Sequence, residues 1–348
     1  MNPSRLKQWK HRLGPVSALA LLFLLALHPA PVRAEAAPCL ADCARIDDDA
    51  RRLECYDRVS GRTEPAGGAP VRPENGTPSD ACSPRSYLTR LWDLNEDEER
   101  NPFTLMPHRG NWFLPVTYNN LPNRTPFQDV VRSDDVQETE VKFQLSLKVK
   151  LWQDVLGGNG DLWFGYTQRS FWQLYNVEDS APFRETDYEP ELLLNFRTNY
   201  RFLGLTGRTV TIGFNHQSNG RSEPFSRSWN RLVANLGFEK GDFVLEVKTW
   251  YRLPENEAED DNPDLDDFMG PGEIWGHYLW RGHRFGVMLR NNLRSRDNRG
   301  ALMLEWSFPL LDHVSGHLQY FTGYGESLLD YNHAVNRIGF GFILKEWE

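Results

Sequence analysis

From about residue 105 onward, apolar and polar residues alternate with a period of two, the signature of strands whose two faces meet different surroundings. The clearest case is 141–151, where Val141, Phe143, Leu145, Leu147, Val149 and Leu151 alternate with Lys142, Gln144, Ser146, Lys148 and Lys150. Oily and lysine-bearing faces of this kind fit a membrane barrel with a polar lumen, and equally one strand of a soluble sandwich. The count favours the barrel. Strands are predicted at 112–118, 141–152, 162–175, 191–202, 209–218, 228–238, 243–252, 273–280, 285–293, 301–308, 317–325 and 337–344. That is an even number of segments, mostly near the ~9–11 residues a tilted membrane strand needs. Leu192, Leu194 and Phe196 oppose Asn195, Arg197 and Asn199, and Leu302, Leu304, Trp306 and Phe308 repeat the scheme. Trp163, Trp172, Trp250, Tyr251, Tyr278, Trp280, Tyr320 and Tyr324 fall near strand ends and are expected to form interfacial girdles, with ordinary core or hairpin pairs as the alternative. The expected fold is all-β, a twelve-stranded antiparallel transmembrane β-barrel preceded by a short helical segment that contains the cysteines.

The region before the strands divides in two. Residues 1–34 read as a signal peptide: Arg5, Lys7, Lys10 and Arg12 precede the apolar stretch from Val16 to Leu27, and Val32-Arg33-Ala34 offers a cleavage site. Removing them takes away those four basic residues and Arg33 with no acidic one, which deepens a formal charge already at −9. So acidic a chain argues against a nucleic-acid partner. The chain after the leader has no run of ~18 apolar residues, so any crossing of a membrane falls to strands. Residues 35–104 are expected to be a periplasmic segment and linker weakly tied to the barrel, helical at 35–60 and 88–100 with a Gly/Pro/Ser-rich stretch at 61–83. The barrel domain is 105–348. Cys39, Cys43, Cys55 and Cys82 all lie in that segment, and export favours two disulfides over a four-thiolate zinc site, with three pairings open.

Candidate chemistry sits in one hairpin. His216 and Ser218 share the phase of Val210, Ile212 and Phe214, which puts a nucleophile and a base on the oily face. Antiparallel pairing centred near Glu223 sets His216 opposite Asn230 and Ser218 opposite Ser228, and Asn230 shares the phase of Leu232, Ala234 and Leu236. Three polar groups on an apolar face are costly unless they bond one another. A Ser–His–Asn chain satisfies them, with Ser218 as nucleophile, His216 as general base and Asn230 fixing the imidazole tautomer. The alternative is that these residues form a solvated rim at the hairpin tip.

The run from Asn215 to Ser222, continued by Ser226-Arg227-Ser228-Trp229-Asn230-Arg231, resembles the signature of the outer membrane phospholipase A family. Further similar stretches are Tyr166-Thr167-Gln168, Pro182 to Thr186, Tyr188-Glu189-Pro190, Asp261-Asn262-Pro263-Asp264 and Gly323 to Ser327. The resemblance covers roughly residues 105–348. It implies a barrel in the outer membrane, active as a calcium-dependent homodimer, that hydrolyses sn-1 and sn-2 acyl esters of membrane glycerophospholipids and of lysophospholipids. Its nucleophile, base and orienting residue fall on Ser218, His216 and Asn230, and its oxyanion donor on the backbone amide of Gly220. It places calcium on the Ser226 side chain, the Arg221 carbonyl, Asp261 and Ser180 of the partner subunit, and the dimer-interface polar residue on Gln168. Glu223 and Ala181 depart from the family's usual residues, and the chain does not end on an aromatic residue. The acid-rich loop 255–267 is otherwise expected to be a solvated extracellular loop, with Asp260, Asp264, Asp266 and Asp267 taking no part. The competing readings are a non-enzymatic porin or adhesin, and a soluble secreted lipase; the latter lacks a Gly-x-Ser-x-Gly elbow.

Overall fold

The computed structural model describes residue 43 and residues 48–60, 86–94, 100–127, 136–256 and 260–345. The chain divides into two units, 1–84 and 85–348. In the first, helix α1 (Asp49–Ser60) is stapled by a Cys43–Cys55 disulfide with Cα atoms 5.4 Å apart. That bond selects among the three pairings and removes the four-thiolate zinc alternative. The leader, Cys39, Cys82 and the linker lie outside the described residues.

The second unit holds helix α2 (Tyr87–Trp92) and a continuous antiparallel sheet. After the short β1 (Leu105–Pro107) come β2 (Trp112–Asn119), β3 (Thr139–Trp152), β4 (Asp161–Trp172), β5 (Phe183–Phe202), β6 (Leu205–Ser218) and β7 (Ser228–Lys240). β8 (Phe243–Arg252), β9 (Gly272–Trp280), β10 (His283–Asn291), β11 (Gly300–Pro309), β12 (Val314–Gly323) and β13 (Val335–Leu344) follow, with the one-turn helix α3 (Asp266–Met269) between β8 and β9. From β2 onward each strand pairs with the next, and β2 pairs with both β3 and β13, so β2–β13 close into a twelve-stranded barrel. The extra strand β1 continues along the far end of β3. Among the described residues no helix is long and apolar enough to cross a membrane.

Burial decides between barrel and sandwich. On β3 the lysines are hidden, with Lys142 and Lys148 each 1% exposed, while Leu145 is 53% exposed. The oily face is therefore the outer one, and it continues around the wall through Phe164, Leu192, Ile212, Leu232, Ile274, Leu304 and Ile338. An apolar surface of that extent wrapped around a charged interior is the inverse of a soluble protein and fits lipid outside.

The lumen is filled by paired charges. Glu140 lies 2.9 Å from Arg184 and 2.8 Å from Arg337, Arg184 reaches Asp330 at 2.9 Å, and Glu326 meets Lys142 and Arg337 at 2.8 Å each. A residual interior cavity of about 210 Å³ remains. Removing one member of such a network leaves the others buried and uncompensated, which costs about 3–5 kcal/mol. Arg184→Met is accordingly expected to lower the thermal unfolding midpoint of the detergent-solubilised barrel, read by circular dichroism; an unchanged midpoint would count against this role.

Three expectations change. β5 starts at Phe183, well before the predicted Glu191, because Glu185, Asp187, Glu189 and Glu191 are its inward face. Alternate acidic residues suit a polar lumen, but the positions between them, Arg184, Thr186 and Pro190, show no oily face, and Pro190 further argues against a strand. Trp163 and Trp250 are buried and do not join the exposed aromatics Tyr251, Tyr278 and Trp280 at the interfaces. Finally, the helix expected at 88–100 is shorter and belongs to the barrel unit. Leu88 N donates to Glu239 at 2.7 Å, Asp93 pairs with Lys150 at 3.1 Å, and the Lys148 ammonium lies 3.5 Å from the centroid of the Trp92 ring. The Ser86 hydroxyl caps the helix by accepting from Thr89 N. Residues 86–94 thus close the lumen at the end of the short turns.

Candidate active site

Tight connections such as Leu203-Gly204 and Gly241-Asp242 occupy one end of the barrel, and the longer loops 173–182, 219–227 and 253–271 the other. The candidate site lies at the long-loop end of β6 and β7. These strands pair as His216↔Asn230 and Ser218↔Ser228, the register expected from the hairpin. His216, Ser218 and Asn230 are half-buried, in line with the exposed Phe214 and Leu232 on the oily face. His216 Nδ1 and Asn230 Oδ1 are 2.9 Å apart. Asn230 Oδ1 can only accept, so the imidazole proton sits on Nδ1 and Nε2 is left basic.

Ser218 forms no hydrogen bond to His216 in this structure. The two lie on one strand two residues apart, a spacing of about 6.6 Å along the backbone, so contact requires both side chains to lean together. Such bonds often tighten only in the complex with substrate. Beyond Ser218 the backbone turns through Gly220, whose φ is +63° and whose free side faces the Tyr188 ring. A side chain there would strain the turn and crowd that ring. Its amide has no hydrogen-bond partner among the described residues, so it is available to an incoming anion.

The loop 219–227 is held by Asn219, which is buried. Its amide nitrogen donates to Glu185 at 3.0 Å and to the Phe225 carbonyl at 2.8 Å, and its Oδ1 accepts from the Arg221 and Arg227 amides at 3.3 and 3.0 Å. The Arg221 guanidinium donates to the Phe183 and Arg184 carbonyls. Ser226 Oγ donates to Asp261 Oδ2 at 2.5 Å, which joins this loop to 253–271. Glu223 lies beside Asp261, and that neighbouring carboxyl raises the Glu223 carboxyl from its ordinary value. A hydroxyl and two neighbouring carboxyls form an oxygen-only cluster suited to a hard cation. Among the described residues no group of three or more His, Cys, Asp or Glu is arranged to hold a metal. Ser180 is exposed, in the left-handed region at φ +61°, in the loop 173–182. It makes no hydrogen bond to Ser226, Arg221 or Asp261. Gln168 accepts from the Tyr166 hydroxyl and donates to Ser170, both at 3.2 Å.

With the fold and this hairpin in place, the relatives can be set beside them. The family model described as phospholipase A1 matches residues 88–344. The chain belongs to the phospholipase A1 family. Phospholipase A1 of Escherichia coli is 42% identical over 252 residues, which span 72% of this chain and 84% of that protein. The solved outer membrane phospholipase A from Escherichia coli superposes with a TM-score of 0.69 at 40% identity, covering 74% of this chain and 98% of that one. A Salmonella typhi outer membrane phospholipase, solved as a dimer with bound calcium, gives 0.68 at 40% identity and covers 76% and 98%.

Within this phospholipase A1 family member, some site residues have no single-residue signal. Asn219 could have been singled out from the Asn-Gly turn signature. The acid-rich loop is solvated in part, as expected: Asp264 and Asp266 are exposed, although Asp264 accepts from the Tyr331 hydroxyl, and Asp267 pairs with the exposed Arg294, whereas Asp260 is drawn in by Arg252 at 2.6 Å. Asn262, fully buried, accepts from Ser228 N at 3.0 Å and so docks this loop on the strand that carries Asn230. Glu255 accepts from Asn230 Nδ2 at 3.2 Å, and partial burial raises its carboxyl from its ordinary value against the opposing pull of Arg252.

Proposed function

We propose that this chain is an outer-membrane phospholipase that hydrolyses sn-1 and sn-2 acyl esters of glycerophospholipids and lysophospholipids through Ser218, His216 and Asn230. The observation that carries this reading is the 2.9 Å His216–Asn230 bond on the lipid-facing wall, in line with Ser218 two residues along the same strand. A base with a fixed tautomer facing lipid is costly to maintain for structure alone.

His216 Nε2 takes the proton as Ser218 Oγ attacks the ester carbonyl carbon. The tetrahedral oxyanion is received by the Gly220 amide. Collapse breaks the ester bond, and the glycerol oxygen leaves with the proton from His216. Water, deprotonated by the same nitrogen, then attacks the acyl-serine and releases the fatty acid. Throughout, Asn230 holds the ring and stabilises its charged form without adding a carboxylate to an oily surface.

The oxygen donors at the loop fit calcium: Ser226 Oγ, the Arg221 carbonyl, Asp261, and Ser180 of the partner subunit. When bound, calcium would supply positive charge to offset the developing oxyanion. The partner's Ser180 makes the site dependent on dimerisation, and the exposed left-handed position of Ser180 and the outward Gln168 both support an intermolecular role. The long-loop end is proposed to face the outer leaflet. The site is then idle in an intact asymmetric membrane and works when phospholipids reach that leaflet.

The test is direct. Detergent-solubilised protein, supplied with calcium and phospholipid labelled separately at sn-1 and sn-2, is expected to release both labelled fatty acids. Conductance in planar bilayers with no ester hydrolysis would replace this reading with the porin one.

A further inference from the structure

We infer that Glu255 is a positioning residue for the catalytic hairpin: its carboxylate fixes which way the Asn230 amide points and so selects the productive tautomer of His216. This rests on the Ser218–His216–Asn230 reading above.

An asparagine in this role carries a weakness that an aspartate does not. Its oxygen and nitrogen are nearly the same size, and a half-turn presents N–H to His216 in place of the carbonyl. That orientation would leave Nδ1 as acceptor and put the proton on Nε2, where it blocks Ser218. His216 cannot prevent the turn, because either of its tautomers has a matching partner. Something on the far side of the amide has to break the tie.

Glu255 lies on that far side. Asn230 Nδ2 donates to Glu255 Oε1 at 3.2 Å while Asn230 Oδ1 faces His216 Nδ1 at 2.9 Å. An ionised carboxylate only accepts, so it holds the NH₂ toward itself and the oxygen toward the imidazole. The backbone keeps it there. Leu253 N donates to the Asn230 carbonyl at 2.8 Å, which pins the exit from β8 against Asn230 two residues before Glu255. The other charged groups facing Glu255 are Arg252, Asp260 and Asp261. The Arg252 guanidinium is engaged by Asp260 at 2.6 Å, so it does not draw Glu255 away. Glu255 also places negative charge one amide away from the imidazolium formed in each half-reaction.

The experiment is a double-mutant cycle on fatty-acid release by the full-length dimer with calcium. Glu255→Ala is expected to lower kcat about tenfold with KM unchanged, the low end for a hydrogen bond to a charged group. Glu255→Gln keeps the size and the loop contacts and should fall between the two, because its amide accepts either orientation of Asn230. In the Asn230→Asp background there is no amide to orient and two carboxylates face each other. There, Glu255→Ala should cause no loss, or a gain. A merely structural Glu255 would cost the same in both backgrounds, and that additive result, or an effect on KM alone, would overturn the inference. Should Ser218→Ala keep full activity, the underlying mechanism fails instead, and the two failures are told apart by that one variant.

Discussion

Ser218→Ala is expected to abolish fatty-acid release while leaving the barrel folded. Removing the nucleophile of a serine hydrolase leaves only what binding and oxyanion donors supply, so the loss should be about 10⁴-fold or more in kcat. The change costs the fold little. Ser218 is half-buried, pairs through its backbone with Ser228, and its hydroxyl forms no hydrogen bond among the described residues. Heat-dependent gel mobility of the detergent-solubilised protein should therefore match the wild type. Full release by the alanine variant would mean that a different residue attacks the ester. His216→Ala should fall to a similar level, because nucleophile and base work as one unit and their losses do not add.

Calcium removal is the second large effect. In excess chelator, release should fall about 10²–10³-fold, the range for losing one element of oxyanion stabilisation. Asp261→Asn and Ser226→Ala should each raise the calcium concentration that restores half of the activity, because both side chains belong to one oxygen cluster joined at 2.5 Å. The dimer enters the same measurement. If Ser180 of the partner subunit completes the set, Ser180→Ala should raise the calcium requirement too, and dilution below the dimerisation range should mimic the chelator. Undiminished release in chelator would remove calcium from the mechanism and leave the hairpin to act alone.

Much of this molecule is legible in the amino-acid order because the barrel wall is a periodic object. Alternation gave strand number, facing and the pairing of His216 with Asn230, since each depends only on a period of two and one turn. What escaped is whatever depends on the contents of the lumen. The first half of β5 reads as a loop until Glu185, Asp187 and Glu189 are seen to have a charged interior to face. Trp163 and Trp250 look like girdle residues because aromatic identity outweighs phase at a strand end. Asp260 looks like one more solvent-facing acid among its exposed neighbours Asp264 and Asp266, because nothing in the local pattern marks the Arg252 guanidinium that covers it. Glu255 is hidden for the same reason, as its contact with Asn230 spans from one loop to the start of another strand.

The charges inside the barrel have a mechanical consequence. Arg184 on β5 is tied at once to Glu140 on β3 and to Asp330 in the loop before β13, and Arg337 on β13 returns to Glu140. Strands that are not neighbours in the sheet are cross-braced through the lumen, and residues 86–94 stopper one end. Behind His216 the same bracing continues, since Arg231 on β7 bonds Asn215 on β6 at 2.9 Å and reaches Glu189 on β5 at 3.0 Å. A site that opens onto fluid lipid has no cleft to hold its groups in place from the front, so its precision has to come from behind.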